Sequence, residues 1–557
     1  MNRIIVIGGL SAGPSAAAKA RRENENVEII LFEKSANISY ATCGIPYALS
    51  GVIPSREKLL VVEANLLRER FNIDVRLQEE VLDIDPRQKI VVTSNGIYDY
   101  DKLVFATGAR AIVPPITNIE KADNWSTCRS LADFDKIMKE GVLESVKHIT
   151  VMGAGLIGVE VAENIRALGK KVTLIEGGQQ ILPMWQEKFS GFAQDVLESK
   201  GIEVLTGNFA KGFDVSGSKI NRIEMANGSS LATDFVIMSV GIRPNTEMLI
   251  QKGAKSLANG ALLVDERMET SLPGIYAAGD NASIRNMQTG EHDYFPLGTH
   301  SNKGGRTAGA NAAGAHETFK GAYKTAIIKL FDYTMARTGM NARELEKRGI
   351  AYRTNLIVSA STPRYYPGQK EIIVELYYSP EDDTIYGAEL FGEVGVDKRV
   401  DVLSTAIYAK LKMSDLPQLD LAYAPPFSPA KDPVVETGFV TSNIANGQYN
   451  EISVEDFYHL VQAQADIQVV DVRSPKEIAR SGKVEGAINI ELDTLRDNLH
   501  KLDKDKETIL YCAKGLRGYL SSRILNHHGF SHVKNLSGGY RIWEMYTNKK
   551  IRLDVIV

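Results

Sequence analysis

At 557 residues the chain is too long for a single hydrophobic core, and at the usual ~150 residues per domain it is expected to divide into three or four. Its 65 basic and 69 acidic residues leave a net charge of −4, which argues against nucleic acid or an anionic membrane surface as partner. Three scattered cysteines, Cys43, Cys128 and Cys512, imply no disulfide framework, and no stretch approaches the ~20 apolar residues of a membrane span, so a cytoplasmic setting is expected.

The chain opens on a β-branched run, Arg3 to Ile7, too short for a signal-peptide core and suited to a strand buried on both faces. Gly8-Gly9-Leu10-Ser11-Ala12-Gly13 follows, then the strong helix former Ala16 to Arg22, then a strand Val27 to Phe32 ending at Glu33-Lys34. Strand, glycine turn, helix, strand and acid is the order of a dinucleotide-binding unit: backbone N–H groups approach a pyrophosphate and the acid receives ribose hydroxyls. Leu10 stands where the middle glycine is usual. Next comes Ser39-Tyr40-Ala41-Thr42-Cys43-Gly44-Ile45-Pro46-Tyr47, with the only cysteine of the first hundred residues. The strand Leu103 to Phe105 ends in Ala106-Thr107-Gly108, small residues suited to close passage of a cofactor.

A second unit begins at strand His148 to Met152 and carries a full G-x-G-x-x-G in Gly153, Gly155 and Gly158. Helix Val159 to Leu168 and strand Lys171 to Ile175 lead to Glu176, with no arginine beside it to meet a 2′-phosphate, so NADH is favoured over NADPH. Val240-Gly241-Ile242 and the strand Gly274 to Asp280, ending in Gly279-Asp280, complete the pattern, the latter placing a carboxylate for a flavin ribityl chain.

From residue 1 to about residue 440 these motifs resemble the flavoprotein disulfide reductases, in which an NAD unit is inserted into an FAD unit. The resemblance implies an FAD-binding domain over 1–110 and 245–322, an NAD(P)H-binding domain over 111–244 and an α+β dimerisation domain over 323–445. It implies that FAD contacts Gly8, Gly9, Ala12, Gly13, Glu33, Lys34, Ala106, Thr107, Gly108, Arg129, Gly279 and Asp280. NADH is expected at Gly153, Gly155, Gly158, Glu176 and Gly241, with Glu160 near the flavin edge; no metal is implied. Cys128 is expected to be structural.

Cys43 has no second cysteine nearby, which places the chain in the single-cysteine branch of that family, and Thr42 replaces the asparagine usual before the cysteine. Ser361-Thr362-Pro363-Arg364-Tyr365-Tyr366 and Leu421-Ala422-Tyr423 resemble segments of the coenzyme A-disulfide reductase group, where a partner subunit's tyrosines approach the redox cysteine. Tyr365 and Tyr423 are assigned those roles by spacing, with Tyr366 the alternative to Tyr365. Ser15, Lys19, Arg22, Ser39, Thr42 and Lys431 match coenzyme A positions of that group, and a homodimer is implied. The polar stretch Ser442 to Asn450 reads as a linker.

Residues 452–557 resemble a rhodanese domain: strand Ile467 to Arg473, then Gly482-Lys483-Val484-Glu485-Gly486-Ala487, then strand Thr508 to Tyr511 into Cys512-Ala513-Lys514-Gly515-Leu516-Arg517 and a helix from Gly518 to His527. Lys483 replaces the usual histidine. The loop's N–H groups and Arg517 are placed to cradle a thiolate at Cys512. The expected fold class is therefore α/β: two Rossmann-like domains, an α+β dimerisation domain and an α/β rhodanese domain. The expected activity is NADH-dependent reduction of CoA persulfide, polysulfide or CoA disulfide through a Cys43–S–S–CoA centre, with Cys512 handling sulfane sulfur. The alternatives are an NADH oxidase or peroxidase using a Cys43 sulfenate, or a sulfide or redox sensor with little turnover.

Overall fold

The computed structural model describes residues 3–142 and 144–554, with side chains as far as Asn548, so the expected outer boundaries at residues 1 and 557 lie outside the described residues. The chain forms two compact units, one of residues 1–182 and 201–323, the other of 183–200 and 324–557.

The first unit holds two five-stranded parallel sheets built to the same plan. In one, β1 (Arg3–Ile7) lies between β2 (Glu28–Glu33) and β4 (Lys102–Phe105), with β3 (Asp74–Leu77) and β8 (Ile275–Ala277) at the edges. In the other, β6 (His148–Met152) lies between β7 (Lys171–Ile175) and a strand at Phe235–Met238, with Ile202–Leu205 and β5 (Trp125–Thr127) outermost. Both central strands read as near-continuous apolar runs because both faces are covered, and Ile5, Val6, Ile149 and Val151 are fully buried. Each runs through a glycine turn into a helix, α1 (Ala12–Glu23) or α2 (Leu156–Ala167). That places both turns at the carboxyl ends of parallel strands, where ligands of such sheets bind.

The second unit combines an antiparallel five-stranded sheet with a parallel one. The antiparallel sheet orders Ala326–Leu330, Tyr333–Gly339, Ile385–Gly392, Glu371–Tyr378 and Arg353–Ala360, and helix Val396–Tyr408 packs on it. The parallel sheet orders Asn450–Ile452, Val533–Leu536, Thr508–Tyr511, Gln468–Asp471 and Ile488–Asn489.

The expected linker at 442–450 is mostly not one. Helix Pro433–Ala445 continues through its first four residues, and Asn450 already begins a strand paired with Lys534. The helix persists because Thr441 is fully buried and its hydroxyl accepts a hydrogen bond from Asn355 Nδ2 at 2.8 Å. The cysteine-loop helix also starts earlier than expected, at Leu516.

Candidate functional site

The two glycine turns are superposable in their logic. Gly8 and Gly153, each at the end of its strand, sit at φ +105 and +93, backbone that side chains disfavour. A Cβ on Gly13 would lie 1.8 Å from the Gly8 carbonyl oxygen, and one on Gly158 would lie 1.8 Å from that of Gly153. Only glycine lets the helix begin this close to the turn. Glu33 then accepts from the N–H groups of Gly9 and Ser35, both at 2.8 Å, and Glu176 from those of Ala154 and Gly178, also at 2.8 Å. Both helices start without a side-chain cap and without an acid in the first turn, leaving their first N–H groups for phosphate oxygens. These features fit FAD at the first turn and a nicotinamide dinucleotide at the second.

Around the first turn, Ala106 N donates to Ile7 O at 2.8 Å and Thr107 Oγ1 to Asn245 O at 2.6 Å, while Gly108 takes φ +63. Gly279, two residues past its strand, lies against Ala12, whose Cβ would be 3.2 Å from one built at Gly279. Asp280 is held by Arg129 Nη2 at 2.6 Å, and Arg129 Nε donates to Ala109 O at 2.8 Å, so these two predicted flavin contacts meet each other. Asn281, which the sequence reading passed over, is fully buried beside them, and its Oδ1 has no hydrogen-bond partner among the described residues. Lys34 is an exposed side chain 3.7 Å from Glu80. Gly241 takes φ +114 and its carbonyl accepts from Ile112 N at 2.9 Å.

Cys43 lies in the single-turn 3-10 helix Thr42–Gly44, and its side chain is exposed. Ser39 anchors the segment: it is locked at φ +50, donates from its N–H to Gly9 O at 2.6 Å and accepts from Val61 N at 2.8 Å. The redox segment is thereby tied directly to the first glycine turn. Although solvent reaches the residue, the protein packed around the sulfur disfavours its charged form and raises the Cys43 pKa; the Thr42 hydroxyl opposes this by hydrogen bonding the thiolate, and the charges of Glu160 and Asp280 raise it further. Tyr47, not assigned a role from sequence, reaches across to helix α2 and donates to Glu160 Oε1 at 3.2 Å. Burial, with Glu163 adding, pushes Glu160 up to about 7, although the Tyr47 hydrogen bond works against this. Above that pH Glu160 is ionised and disfavours the Cys43 thiolate. Glu160→Gln is therefore expected to move the onset of Cys43 alkylation by iodoacetamide to lower pH; a profile that stays in place would show that the two groups are not coupled.

Among the predicted coenzyme A residues, Ser15 Oγ donates to Asn302 Oδ1 at 2.8 Å. Lys19, expected to meet a coenzyme A phosphate, already has carboxylate partners. It is only 6% exposed and paired with Glu23 and, at 2.8 Å, with Glu317, because the helix face it occupies packs inward. A phosphate at Lys19 would compete with two carboxylates. Arg22 and Lys431 are exposed.

In the second unit the structure brings Tyr365 and Tyr423 together: their hydroxyls are 3.4 Å apart, with the two side chains 73% and 52% exposed. That contact raises the Tyr365 pKa, keeping a proton available. Tyr366 is half-buried. The segment carrying Tyr423 is fixed behind it by Asp432, which caps helix Pro433–Ala445 through Val434 N at 3.0 Å and accepts from Arg399 at 2.8 Å and Ser428 at 2.7 Å.

Cys512, 2% exposed, directly follows strand Thr508–Tyr511 of the second unit's parallel sheet. Gly515, at φ +122, turns its N–H towards Cys512 Sγ at 3.1 Å. The loop is backed by Gly539 and Tyr540, the latter donating from its N–H to Cys512 O at 2.8 Å. Arg517 is fixed by a bidentate pair with Glu477, at 2.8 and 2.6 Å. Glu477 was missed in the sequence. Its signal was the S-P-K-E capping box in which it also serves, accepting from Ser474 N at 3.1 Å. Lys483 donates to Ala487 O at 2.7 Å. Cys128 is buried, and burial pushes its thiol up to about 12. Among the described residues no helix is long and apolar enough to cross a membrane.

Three family patterns match the chain: pyridine nucleotide-disulphide oxidoreductase over residues 2–294, its dimerisation domain over 325–433 and a rhodanese-like domain over 453–546. The NAD(P)H sulfur oxidoreductase (CoA-dependent) of Pyrococcus abyssi is 33% identical over 78% of this chain and 96% of its own length. An NADH oxidase of Methanocaldococcus jannaschii is 32% identical, covering 78% and 97%. Two solved structures align over nearly the whole chain at 35% identity. The reduced CoADR-RHD of Bacillus anthracis has a TM-score of 0.94 over 98% of both chains, and the NAD-dependent persulfide reductase of A. fulgidus 0.90 over 97% of this chain and all of its own.

Proposed function

Because the chain belongs to the pyridine nucleotide-disulphide oxidoreductases and ends in a rhodanese-like domain, we propose that it is a homodimeric reductase that uses NADH to cleave sulfur–sulfur bonds on coenzyme A. CoA persulfide, CoA disulfide or polysulfide is the substrate, Cys43 the nucleophile and Cys512 a carrier of sulfane sulfur. The observation that carries the reading is Cys43 itself: exposed, tied to the flavin turn through Ser39, and without another cysteine in its segment. Its disulfide partner must then come from a small thiol.

FAD, held at Gly8–Gly13, Glu33 and Asp280, supplies the two-electron relay between NADH and sulfur. The chain's own residues handle the sulfur. Attack of the Cys43 thiolate on CoA disulfide forms Cys43–S–S–CoA and expels one CoA thiolate; two electrons and a proton from NADH restore the Cys43 thiolate and release the second thiol. With a persulfide the thiolate takes the sulfane sulfur, CoA thiolate leaves, and two electrons and a proton release hydrosulfide. Tyr365 and Tyr423, from the partner subunit, donate protons or hydrogen bonds to the departing sulfur. The choice of NADH rests on Glu176, whose carboxylate is already fixed by two N–H groups where a ribose hydroxyl binds and a 2′-phosphate is repelled.

Steady-state NADH consumption tests the reading. Turnover with CoA persulfide or CoA disulfide is expected to exceed turnover with oxygen or peroxide alone at least about tenfold, a difference of roughly 1.4 kcal/mol in barrier. Cys512→Ser is expected to leave reduction of ready-made CoA persulfide intact while removing sulfur loading of the rhodanese domain. Peroxide or oxygen turnover above sulfur turnover would replace this reading with an oxidase using a Cys43 sulfenate.

A further inference from the structure

The Cys512 loop and the helix starts beside it carry three cations, Lys514, Arg517 and Arg541, and each is held by a carboxylate. Arg517 is matched by Glu477 from the same domain. Lys514 and Arg541 share a single carboxylate, that of Glu371, at 2.7 and 2.9 Å. Glu371 is not part of the parallel sheet at all. It is the first residue of strand Glu371–Tyr378 in the antiparallel sheet of the same unit, next to Lys370, whose carbonyl closes the Tyr365-bearing segment onto Ser361 N at 2.8 Å.

The start of helix Gly539–Asp554, which bears Arg541, forms one wall of the loop. Arg541 N donates to Ala513 O at 3.0 Å and Tyr540 N to Cys512 O at 2.8 Å. A second tie runs from the same antiparallel sheet: Ser537 Oγ donates to Leu356 O at 2.9 Å, two residues before Gly539, where a Cβ would lie 2.5 Å from Cys512 O. Burial alone would raise the Glu371 pKa, but Lys514 and then Arg541 hold it below the usual carboxylate range, so it is charged at neutral pH.

We propose that Glu371 is a specificity-determining residue of the sulfurtransferase site: by neutralising Lys514 and Arg541 it sets the Cys512 loop against small dianionic sulfur donors such as thiosulfate and leaves it open to thiol-bound persulfides. This rests on the reading of Cys512 as a sulfane-sulfur carrier. The bond formed is the same for either donor. The Cys512 thiolate attacks the sulfane sulfur, and Cys512–S–S⁻ forms as sulfite leaves thiosulfate or a thiolate leaves the persulfide. What differs is the charge brought to an anionic nucleophile. Arg541 also lies 3.7 Å from Glu544, so three cations face three carboxylates and removing the Glu371 charge leaves one positive charge uncompensated at the loop; a dianion feels that change twice as strongly as a monoanion.

The test is sulfur loading of Cys512 in the full-length protein, followed by intact mass and by transfer to cyanide, with thiosulfate and with 2-mercaptoethanol persulfide as donors. Glu371→Gln is expected to lower the KM for thiosulfate roughly fivefold at low ionic strength, with the gain fading in high salt. The same change should leave kcat/KM for the persulfide within about twofold of wild type, the range of an exposed charge. Adding Lys514→Met to Glu371→Gln should remove most of the gain. An unchanged thiosulfate KM, or an equal loss with both donors as expected of a mere structural brace, would overturn the proposal. Sulfur loading that survives Cys512→Ser would instead overturn the carrier reading, and the specificity proposal with it.

Discussion

Cys43→Ser is expected to abolish sulfur-dependent NADH consumption, lowering turnover with CoA persulfide or CoA disulfide by roughly a thousandfold or more, as removal of an essential nucleophile does. A serine hydroxyl neither ionises at neutral pH nor forms a disulfide, so no bond to the substrate sulfur is made. The substitution is close to isosteric at an exposed position in a short turn whose fixed points are backbone hydrogen bonds of Ser39 and Ala41. FAD content and melting temperature should therefore match wild type, which separates a chemical loss from a folding one. Turnover above about a tenth of wild type would remove Cys43 from the reaction.

The second large effect is on stability. Asp432→Ala is expected to destabilise the second unit by about 3–5 kcal/mol, because it leaves the Arg399 guanidinium, 1% exposed, without its carboxylate. It also removes the cap of helix Pro433–Ala445, and together the losses correspond to a fall of roughly 10 °C in Tm by thermal unfolding. Burial opposes ionisation of Asp432, but the hydrogen bonds and charge of Arg399, with Val434 N and Ser428, depress its pKa below the unfolded value. The stabilisation is therefore complete above the ordinary aspartate range and is lost as pH falls through the depressed folded value. Wild type should lose stability on acidification in that window, and Asp432→Asn should flatten the dependence. An Asp432→Ala protein that melts with wild type would show that the buried pair holds nothing together.

Much of this site was legible in the sequence because its constraints are local. The glycine turns announce themselves since a side chain at Gly13 or Gly158 would strike backbone, and Glu33 and Glu176 sit one strand away from them. The loop from Cys512 to Arg517 was readable for the same local reason. What stayed hidden is what distant segments bring. Lys19 matches a coenzyme A position on its own helix, but Glu317, some three hundred residues on, already pairs with it, and the polar residues after Ser442 read as a linker although Asn355 is bonded to the helix there. Tyr47 meeting Glu160, and Glu371 reaching Lys514, join residues that no spacing rule relates. The roles of Tyr365 and Tyr423 towards the redox cysteine rest on family resemblance and spacing, which do not foretell that their own hydroxyls lie 3.4 Å apart.

The central claim is that Cys43 is one half of a disulfide whose other half is coenzyme A. Intact mass of the purified protein, recorded before and after treatment with reductant, addresses it directly. The account predicts a fraction of chains heavier by one CoA, the adduct mapping to the Cys43 peptide, lost on reduction and absent from Cys43→Ser. Cys43 found only as free thiol or as an oxygen adduct, even after incubation with CoA disulfide, would contradict it.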